Sequence, residues 1–211
     1  PWLFGEARGK QTASRLEAPY PLTFPEDFAW GVAVAAQHVE HQQRSDWTGF
    51  ERRVLREGKT GTGDRPGQAK PGHIRDLDKY SETVRRKKVD FDDRYADDFV
   101  QLAELGLNSY RFSLSWARLF PRADMIEPDP KGVSFYRDVI AAAKANGLEP
   151  HVSLFHFSTP EWFWEEQNGQ RGWERPDALA HWRRYVEAVS ELLGPEIDYW
   201  CTLNEPMVYV L

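Results

Sequence analysis

The feature that most constrains the fold is a pattern that occurs three times along the chain. Each time an amphipathic helical stretch ends at a glycine, and a short link leads into an apolar, strand-like run. The three glycines are Gly106, Gly147 and Gly194, and glycine commonly follows the end of a helix. Helices that alternate with apolar strands form a parallel sheet covered by helices, so the sequence predicts an α/β fold.

Four strand-like runs can be placed, at Phe28 to Val34, Asn108 to Ser113, His151 to Phe155 and Tyr199 to Thr202. In the helices between them, we expect Ser134 to cap the second helix and Pro176 to begin the third. The last three strands begin at residues 108, 151 and 199, a spacing that suits successive (β/α) units.

The gap between the first two strands is much longer than the others. Residues 51–90 in this gap are rich in Gly, Pro and charged side chains, which predicts an insertion or long loop. Residues 1–23 are expected to form a loosely attached N-terminal extension. The folded unit is then predicted to occupy residues 24–211.

Composition excludes several classes of protein. The net charge is −6, and the one basic run, at 85–88, is followed by three aspartates, so we expect no nucleic-acid partner. No stretch approaches the run of about 18 apolar residues that a membrane helix needs, so we expect no membrane partner either. Cys201 is the only cysteine, so an intrachain disulfide is impossible and a reducing, cytoplasmic location is expected.

Polar side chains cluster just after each predicted strand. They are Gln37, His38 and Glu40; Ser115, Trp116 and Arg118; His156; and Asn204 and Glu205. In parallel α/β architectures the carboxyl ends of the strands carry the chemistry. These residues are therefore the candidates for a functional site.

Glu205 directly follows what looks like a buried strand, and Pro206 stiffens the exit from it. Desolvation at such a position would favour the protonated carboxyl group, which suits a general acid. A salt-bridged or solvent-facing glutamate is the alternative interpretation. Asn204 could orient the carboxyl group or donate to a hydroxyl.

The histidines and Arg111 complete the list of candidates. His156 lies at a strand exit, whereas His151 points to the opposite face and is expected to be a core residue. Arg111 lies within a strand and should face a carboxylate, either Glu205 or one outside this chain. His38 and His41 flank Glu40, but no second ligand pair with metal-site spacing follows, so we expect neither a metal nor a cofactor.

Four segments in this order resemble glycoside hydrolase family 1, the β-glucosidase family. They are Phe24-Pro25-Glu26-Asp27-Phe28-Ala29-Trp30-Gly31, Arg111-Phe112-Ser113-Leu114-Ser115-Trp116-Ala117-Arg118, Leu154-Phe155-His156-Phe157-Ser158-Thr159-Pro160-Glu161-Trp162 and Thr202-Leu203-Asn204-Glu205-Pro206. The resemblance covers about residues 24–50 and 91–211, and the last segment matches the acid/base signature of the family.

The resemblance implies a (β/α)₈ TIM barrel that hydrolyses terminal β-linked sugars with retention. Two carboxyl groups about 5–5.5 Å apart do this work in such enzymes. By resemblance Glu205 is the acid/base, Asn204 binds the sugar 2-hydroxyl and His156 binds another glycone hydroxyl. Arg111 would support the charge of the nucleophile.

The chain departs from the family pattern at two places. Aligned on Val39-Glu40, His38 stands where the family has a sugar-binding Gln, and Gln37 lies one position early. The family nucleophile belongs to a later Thr-Glu-Asn-Gly segment, which this sequence does not contain. We therefore expect only the first four β/α units of the barrel, a half-barrel that is inactive alone.

Three interpretations follow from this expectation. In the first, a complementary C-terminal half or self-association completes a β-glycosidase whose substrate is a β-glycoside or oligosaccharide. In the second, the chain is a non-catalytic sugar-binding or assembly module. In the third, a self-associated pair recruits a carboxylate such as Glu161, Glu165 or Glu166.

Overall fold

A computed structural model of the protein describes residues 23–57 and 87–210. The strands are β1 (Gly31–Ala33), β2 (Ser109–Ser113), β3 (Glu149–Phe155) and β4 (Tyr199–Leu203). The α-helices are α1 (Ala36–Val39), α2 (Asp46–Glu57), α3 (Phe91–Glu104), α4 (Trp116–Leu119), α5 (Pro130–Ala145), α6 (Ala178–Leu192) and α7 (Pro206–Val210). Three 3₁₀ turns lie at Glu161–Trp164, Gly172–Glu174 and Gly194–Glu196.

The four strands form one parallel sheet in the order β1-β2-β3-β4. Consecutive strands are neighbours, and α3, α5 and α6 connect them. The predicted parallel α/β architecture is thus confirmed. Because every strand runs the same way, the carboxyl ends of all four strands meet at one edge of the sheet.

Burial differs between the central and the outer strands. In β2 and β3 most residues are buried, whereas β1 is exposed along its length and β4 along most of it. The expectation that Glu205 follows a buried strand is therefore wrong for this chain. The reason is topological, since β1 and β4 are the two edges of a four-stranded sheet and each has a neighbour on one side only.

The helices begin at different residues from those predicted. Asp129, not Ser134, caps α5: its carboxylate accepts a hydrogen bond from the Lys131 backbone N–H, and Pro130 takes the first helical position. Pro176 precedes α6, which begins at Ala178. Asp129 followed by Pro130 is the stronger signal for the start of a helix. An Asp at the N-cap accepts a backbone hydrogen bond, and a proline at the first helical position removes no N–H that the helix would use.

The core between the sheet and the helices is strongly aromatic. Trp116 lies at its centre and contacts several rings: Trp162, Phe163, Trp173, Trp182 and Tyr185. Tyr110 and Phe112 of β2 point to the same side and pack on Phe91, Phe99 and Tyr136. Most of the tryptophans in the described residues are thus packing residues, while Trp30, Trp47 and Trp164 remain exposed.

Gly31→Ala should destabilise the protein by about 1–3 kcal/mol. A methyl group at this position would lie 2.4 Å from the backbone oxygen of Ser109, the residue with which Gly31 pairs in the sheet. Gly194→Ala is the matched control, because no atom lies within 4 Å of its added Cβ. Urea denaturation of both variants tests this, and equal losses would contradict it.

The two irregular regions predicted from composition lie mostly outside the described residues. Of the predicted insertion at 51–90, residues 51–57 continue helix α2 and 87–90 lead into α3. The remainder, and all of the predicted extension except residue 23, are not described. Among the described residues, no helix is both long and apolar enough to cross a membrane.

Candidate active site

Arg111 in the middle of β2 forms hydrogen bonds to β3, to β4 and to the residue that follows β4. From β2 its Nη2 donates to Asn204 Oδ1 (2.6 Å), just beyond β4. The same guanidinium donates to Ser153 Oγ of β3 (3.2 Å) and to Cys201 Sγ of β4 (3.2 Å). Asn204 is buried, and its backbone N–H donates to the Phe155 carbonyl at the end of β3. Within the described residues Arg111 forms no ion pair with a carboxylate.

His156 lies beside this cluster, as the sequence predicted for a strand exit. Burial lowers its pKa, and the charges of Arg111 and His38 lower it further, while Glu205 opposes them. The structure thus places Arg111, His38 and Glu205 close enough to His156 for their charges to affect it. A neutral imidazole has one donor and one acceptor nitrogen, which suits hydrogen bonds to a hydroxyl group.

Glu205 is exposed rather than desolvated, because it follows an edge strand. Its backbone is left-handed, with φ of 42°, and Phe157, directly after His156, has φ of 68°. Residues other than glycine are uncommon in this region, and they cluster at functional sites. Two of the five described non-glycine residues with positive φ thus lie just after β3 and β4, among the polar residues found there.

His38, and not Gln37, lies on the exposed side of the first strand end. The Ser45 hydroxyl donates to Gln37 Oε1 (2.7 Å), and Gln37 Nε2 is buried without a hydrogen-bond partner. His38 is exposed and interacts with His156. Gln37 is thus turned toward the start of α2, and substrate binding by either residue stays a prediction.

His151 differs from the expected core histidine. It is only half-buried, and its ring stacks on Tyr199 with centroids 4.5 Å apart. Its register partner on β2 is Arg111. The position of His151 near the start of β3 separates it from the strand ends where His156 lies.

A family model described as glycosyl hydrolase family 1 matches residues 20–211. The chain belongs to this family. It is 33% identical over 183 residues to the 6-phospho-beta-glucosidase AscB of Escherichia coli, covering 86% of this chain and 37% of the relative. Coniferin beta-glucosidase of Pinus contorta is 34% identical over 209 residues, covering 99% of this chain and 36% of the relative.

Solved structures give the same result for the fold. The beta-glycosidase from Pyrococcus horikoshii superposes with a TM-score of 0.69 at 32% identity, covering 90% of this chain and 38% of that one. Such family-1 neighbours are TIM barrels, so the four-stranded sheet corresponds to a half-barrel, as the sequence predicted. The chain spans little more than a third of the length of these relatives.

The N-terminus of α2 holds the segment that follows His156, a contact that sequence reasoning missed. Asp46 and Thr159 bond reciprocally: the Asp46 N–H donates to the Thr159 carbonyl, and the Thr159 N–H donates to Asp46 Oδ1, each at 3.0 Å. Trp47 Nε1 donates to the Phe157 carbonyl (3.1 Å). The only sequence signal was Ser45-Asp46 at a helix start, which does not identify a partner more than a hundred residues away.

Asp46→Asn should change how stability depends on pH. Burial raises the pKa of Asp46 to about 6, although hydrogen bonds from Thr159 partly oppose this. Between about pH 4 and 6 the folded state keeps a proton that the unfolded chain has released, so wild-type stability falls as pH rises. The variant, which can still accept from Thr159, should therefore gain up to about 3 kcal/mol over wild type as pH rises through this range.

Urea denaturation at pH 4 and pH 7 measures this gain. Asp124→Asn is the control, because Asp124 is exposed and pairs only with the exposed Arg122 among the described residues. Parallel pH profiles for wild type and Asp46→Asn would contradict the assignment.

A buried network of polar side chains packs against the segment that follows β1. Glu40 is 2% exposed; it accepts from Arg118 Nε (2.9 Å) and from the Tyr136 hydroxyl (2.8 Å). Arg118 also donates to Asp92 (2.6 Å) and lies 4.0 Å from the Phe135 ring centroid. The network ties the segment that contains His38 and Glu40 to α3, α4 and α5, and so holds the first strand end against the second.

One group of potential metal ligands lies near this network. Atoms of His41, Asp90 and Asp93 lie within 4.8 Å of one another, although the spacing of histidines in the sequence did not predict this. Lys87 Nζ already lies 3.1 Å from Asp90 and 3.2 Å from Asp93. A lysine ammonium thus neutralises both carboxylates, and the group is explained as an ion-pair cluster at the surface.

Proposed function

We propose that this chain is the acid/base half of a retaining β-glycosidase. Glu205 would protonate the leaving oxygen of a β-glycoside and then activate the water that releases the sugar. Proton transfer by such a group contributes about 10²- to 10⁴-fold to the rate. A carboxylate from the remaining strands of the barrel would act as the nucleophile.

The observation that carries the proposal is the environment of Arg111. Its guanidinium is half-buried and bonds only neutral groups among the described residues: Asn204, Ser153 and Cys201. A cation in such a place is costly unless an anion is near. A nucleophilic carboxylate from the remaining strands of the barrel would provide that anion. It would lie beside Asn204, the residue that directly precedes Glu205.

The neighbouring side chains can bind the sugar. Asn204 keeps its amide N–H groups for the 2-hydroxyl, because its oxygen accepts from Arg111. His156 and His38 can bind other glycone hydroxyls. An imidazole at position 38 cannot form the paired contacts of an amide, so we expect looser discrimination among sugars than a glutamine would provide.

Ion pairing disfavours Glu161 and Glu166 as a nucleophile recruited from this chain. Glu161 pairs with Arg44 and Arg52, and Glu166 pairs with Arg171. The exposed edge strands support a complementary half instead. Large apolar side chains are exposed on and beside β1 and β4: Trp30, Val32, Tyr199, Leu203, Met207 and Val208.

The proposal can be tested by mixing this chain with the complementary half of a family-1 barrel. The chain should not hydrolyse an aryl β-glucoside or its 6-phosphate alone, but it should do so after mixing with the last four β/α units of a family-1 relative. Retained anomeric configuration in the product, followed by NMR, would support the two-carboxylate mechanism. Turnover by the pure chain would overturn the proposal, because a complete carboxylate pair would then lie within it.

The same experiment separates the alternative of a sugar-binding module. Such a module would bind a β-glucoside equally well with Glu205→Gln and would gain no activity on mixing. Size-exclusion chromatography of the mixture and of the chain alone distinguishes a complementary pair from self-association. A cytoplasmic location stays a prediction, based on the single Cys201.

A further inference from the structure

The sequence contains two Asn-Gly pairs, Asn146-Gly147 and Asn168-Gly169, and the structure places them in different surroundings. In such a pair the backbone nitrogen of the glycine can attack the side-chain carbonyl of the asparagine and displace ammonia. Glycine favours this reaction because it has no Cβ to obstruct the approach and leaves the backbone free to rotate. The local sequence gives the two pairs the same chemistry, so the fold decides which of them reacts.

Asn168 and Gly169 form the tip of an exposed two-residue turn. Their φ angles are 52° and 79°, and a type I′ turn requires positive φ at both central residues. Gln167 and Gln170 close the turn with two backbone hydrogen bonds of 2.9 Å each, and this bridge lies outside any strand. A turn closed by a single bridge at the surface opens at little cost, so Asn168 can reach the conformation that the attack requires.

The reacting groups of this pair are also unhindered. Asn168 and Gly169 are both exposed. Within the part of the chain that the structure describes, neither the Asn168 side-chain amide nor the Gly169 N–H forms a hydrogen bond. A Cβ added to Gly169 would have no other group within 4 Å. A five-membered ring formed from the two residues therefore has room on the protein surface.

The pair at Asn146 is held in place at the end of α5. Asn146 is half-buried, and its Nδ2 donates to the Ala142 carbonyl (2.8 Å). The Gly147 N–H, which carries the nitrogen that would attack, donates to the Lys144 carbonyl (3.0 Å). Both hydrogen bonds must break before this pair can react, so it serves as an internal control for the other.

We propose that Asn168 is a site of spontaneous deamidation in the folded chain. The Gly169 nitrogen loses its proton to hydroxide and forms a bond to Cγ of Asn168. The Cγ–Nδ2 bond then breaks, and the nitrogen leaves as ammonia after taking a proton from water. Water opens the resulting succinimide at either carbonyl, which gives aspartate or isoaspartate. Solvent water is the only co-reactant, and nothing is oxidised or reduced.

The products change the charge and the backbone of this turn. Either product adds a carboxylate close in sequence to Glu165 and Glu166, and Glu166 already accepts from Arg171 (2.7 Å). Isoaspartate carries the main chain through Cγ and lengthens it by one atom, so the two-residue turn should lose its closing hydrogen bonds. The inference concerns chemical ageing of the chain and is independent of the proposed function.

Peptide mapping by mass spectrometry tests the inference, on the full chain incubated at pH 6 and pH 8. The peptide that contains Asn168 should gain the mass that corresponds to replacement of NH₂ by OH, in both aspartate and isoaspartate forms. Conversion should be faster at pH 8, because the attacking nitrogen must lose a proton. The peptide that contains Asn146 should convert at least about tenfold more slowly, since two hydrogen bonds must break first.

The same incubation in concentrated urea shows whether the fold causes this difference. In the unfolded chain both Asn-Gly pairs should convert at similar rates, which would support the inference. An equal rate for the two pairs in the folded chain would overturn it. A difference that persists unchanged in urea, or an Asn168 that stays intact in the folded chain while it converts in urea, would overturn it as well.

Discussion

Glu205→Gln should lower kcat/KM of the completed barrel about 10²- to 10⁴-fold for a β-glycoside with a poor leaving group. The amide cannot supply the proton that the departing oxygen needs, although it keeps nearly the same shape. A glycoside with an acidic phenol as leaving group should lose much less, because that leaving group departs without protonation. The measurement is kcat/KM for a series of aryl β-glucosides, after mixing with the complementary half.

The matched control is Glu166→Gln, which removes a carboxylate that pairs with Arg171 at the surface. It should leave kcat/KM unchanged across the series. An equal loss for good and poor leaving groups in Glu205→Gln would show that Glu205 only positions the substrate, and it would remove the acid/base assignment.

Arg118→Met should cost about 3–5 kcal/mol of the free energy of unfolding, because it leaves a buried carboxylate unpaired. Glu40 is 2% exposed, and Arg118 is the cation that bonds it. Burial already raises the pKa of Glu40, and the Arg118 charge opposes that rise. Without Arg118, Glu40 should bind a proton more readily in the folded state, so the loss should be greater at pH 7 than at pH 5.

Arg183→Met provides the comparison for this result. Arg183 pairs with Glu187 on the exposed surface of α6, and loss of such a pair should change stability by no more than about 0.5 kcal/mol. Urea denaturation of both variants at the two pH values gives the required differences. A loss in Arg118→Met that is small and independent of pH would contradict the view that the pair is buried and essential.

Much of the candidate site could be predicted because parallel strands bring their carboxyl ends together. His156, Asn204 and Glu205 each follow a strand, and Arg111 lies within one, so position alone made them candidates before any contact was known. The structure brings Arg111 and Asn204 together by a 2.6 Å hydrogen bond. The local sequence pattern was sufficient to predict these residues, because each one is identified by its position relative to a single strand.

Pattern was insufficient where a side chain's direction depends on a distant segment. Gln37 and His38 are neighbours in sequence, but their side chains point in different directions. The direction of Gln37 depends on Ser45, whose hydroxyl donates to it at the start of α2. Asp46 meets Thr159 across 113 positions of sequence, and no motif links them.

The sequence by itself determined the α/β architecture, the family and the residues at the strand ends, because these follow from local periodicity and short motifs. Only the tertiary structure decided which side chains meet: Arg111 with Asn204, Asp46 with Thr159, and Glu40 with Arg118. It also decided that Glu205 is exposed in this chain, since β4 is an edge strand. The physical reason is that burial and hydrogen bonding depend on what packs alongside a residue, which its local sequence does not specify.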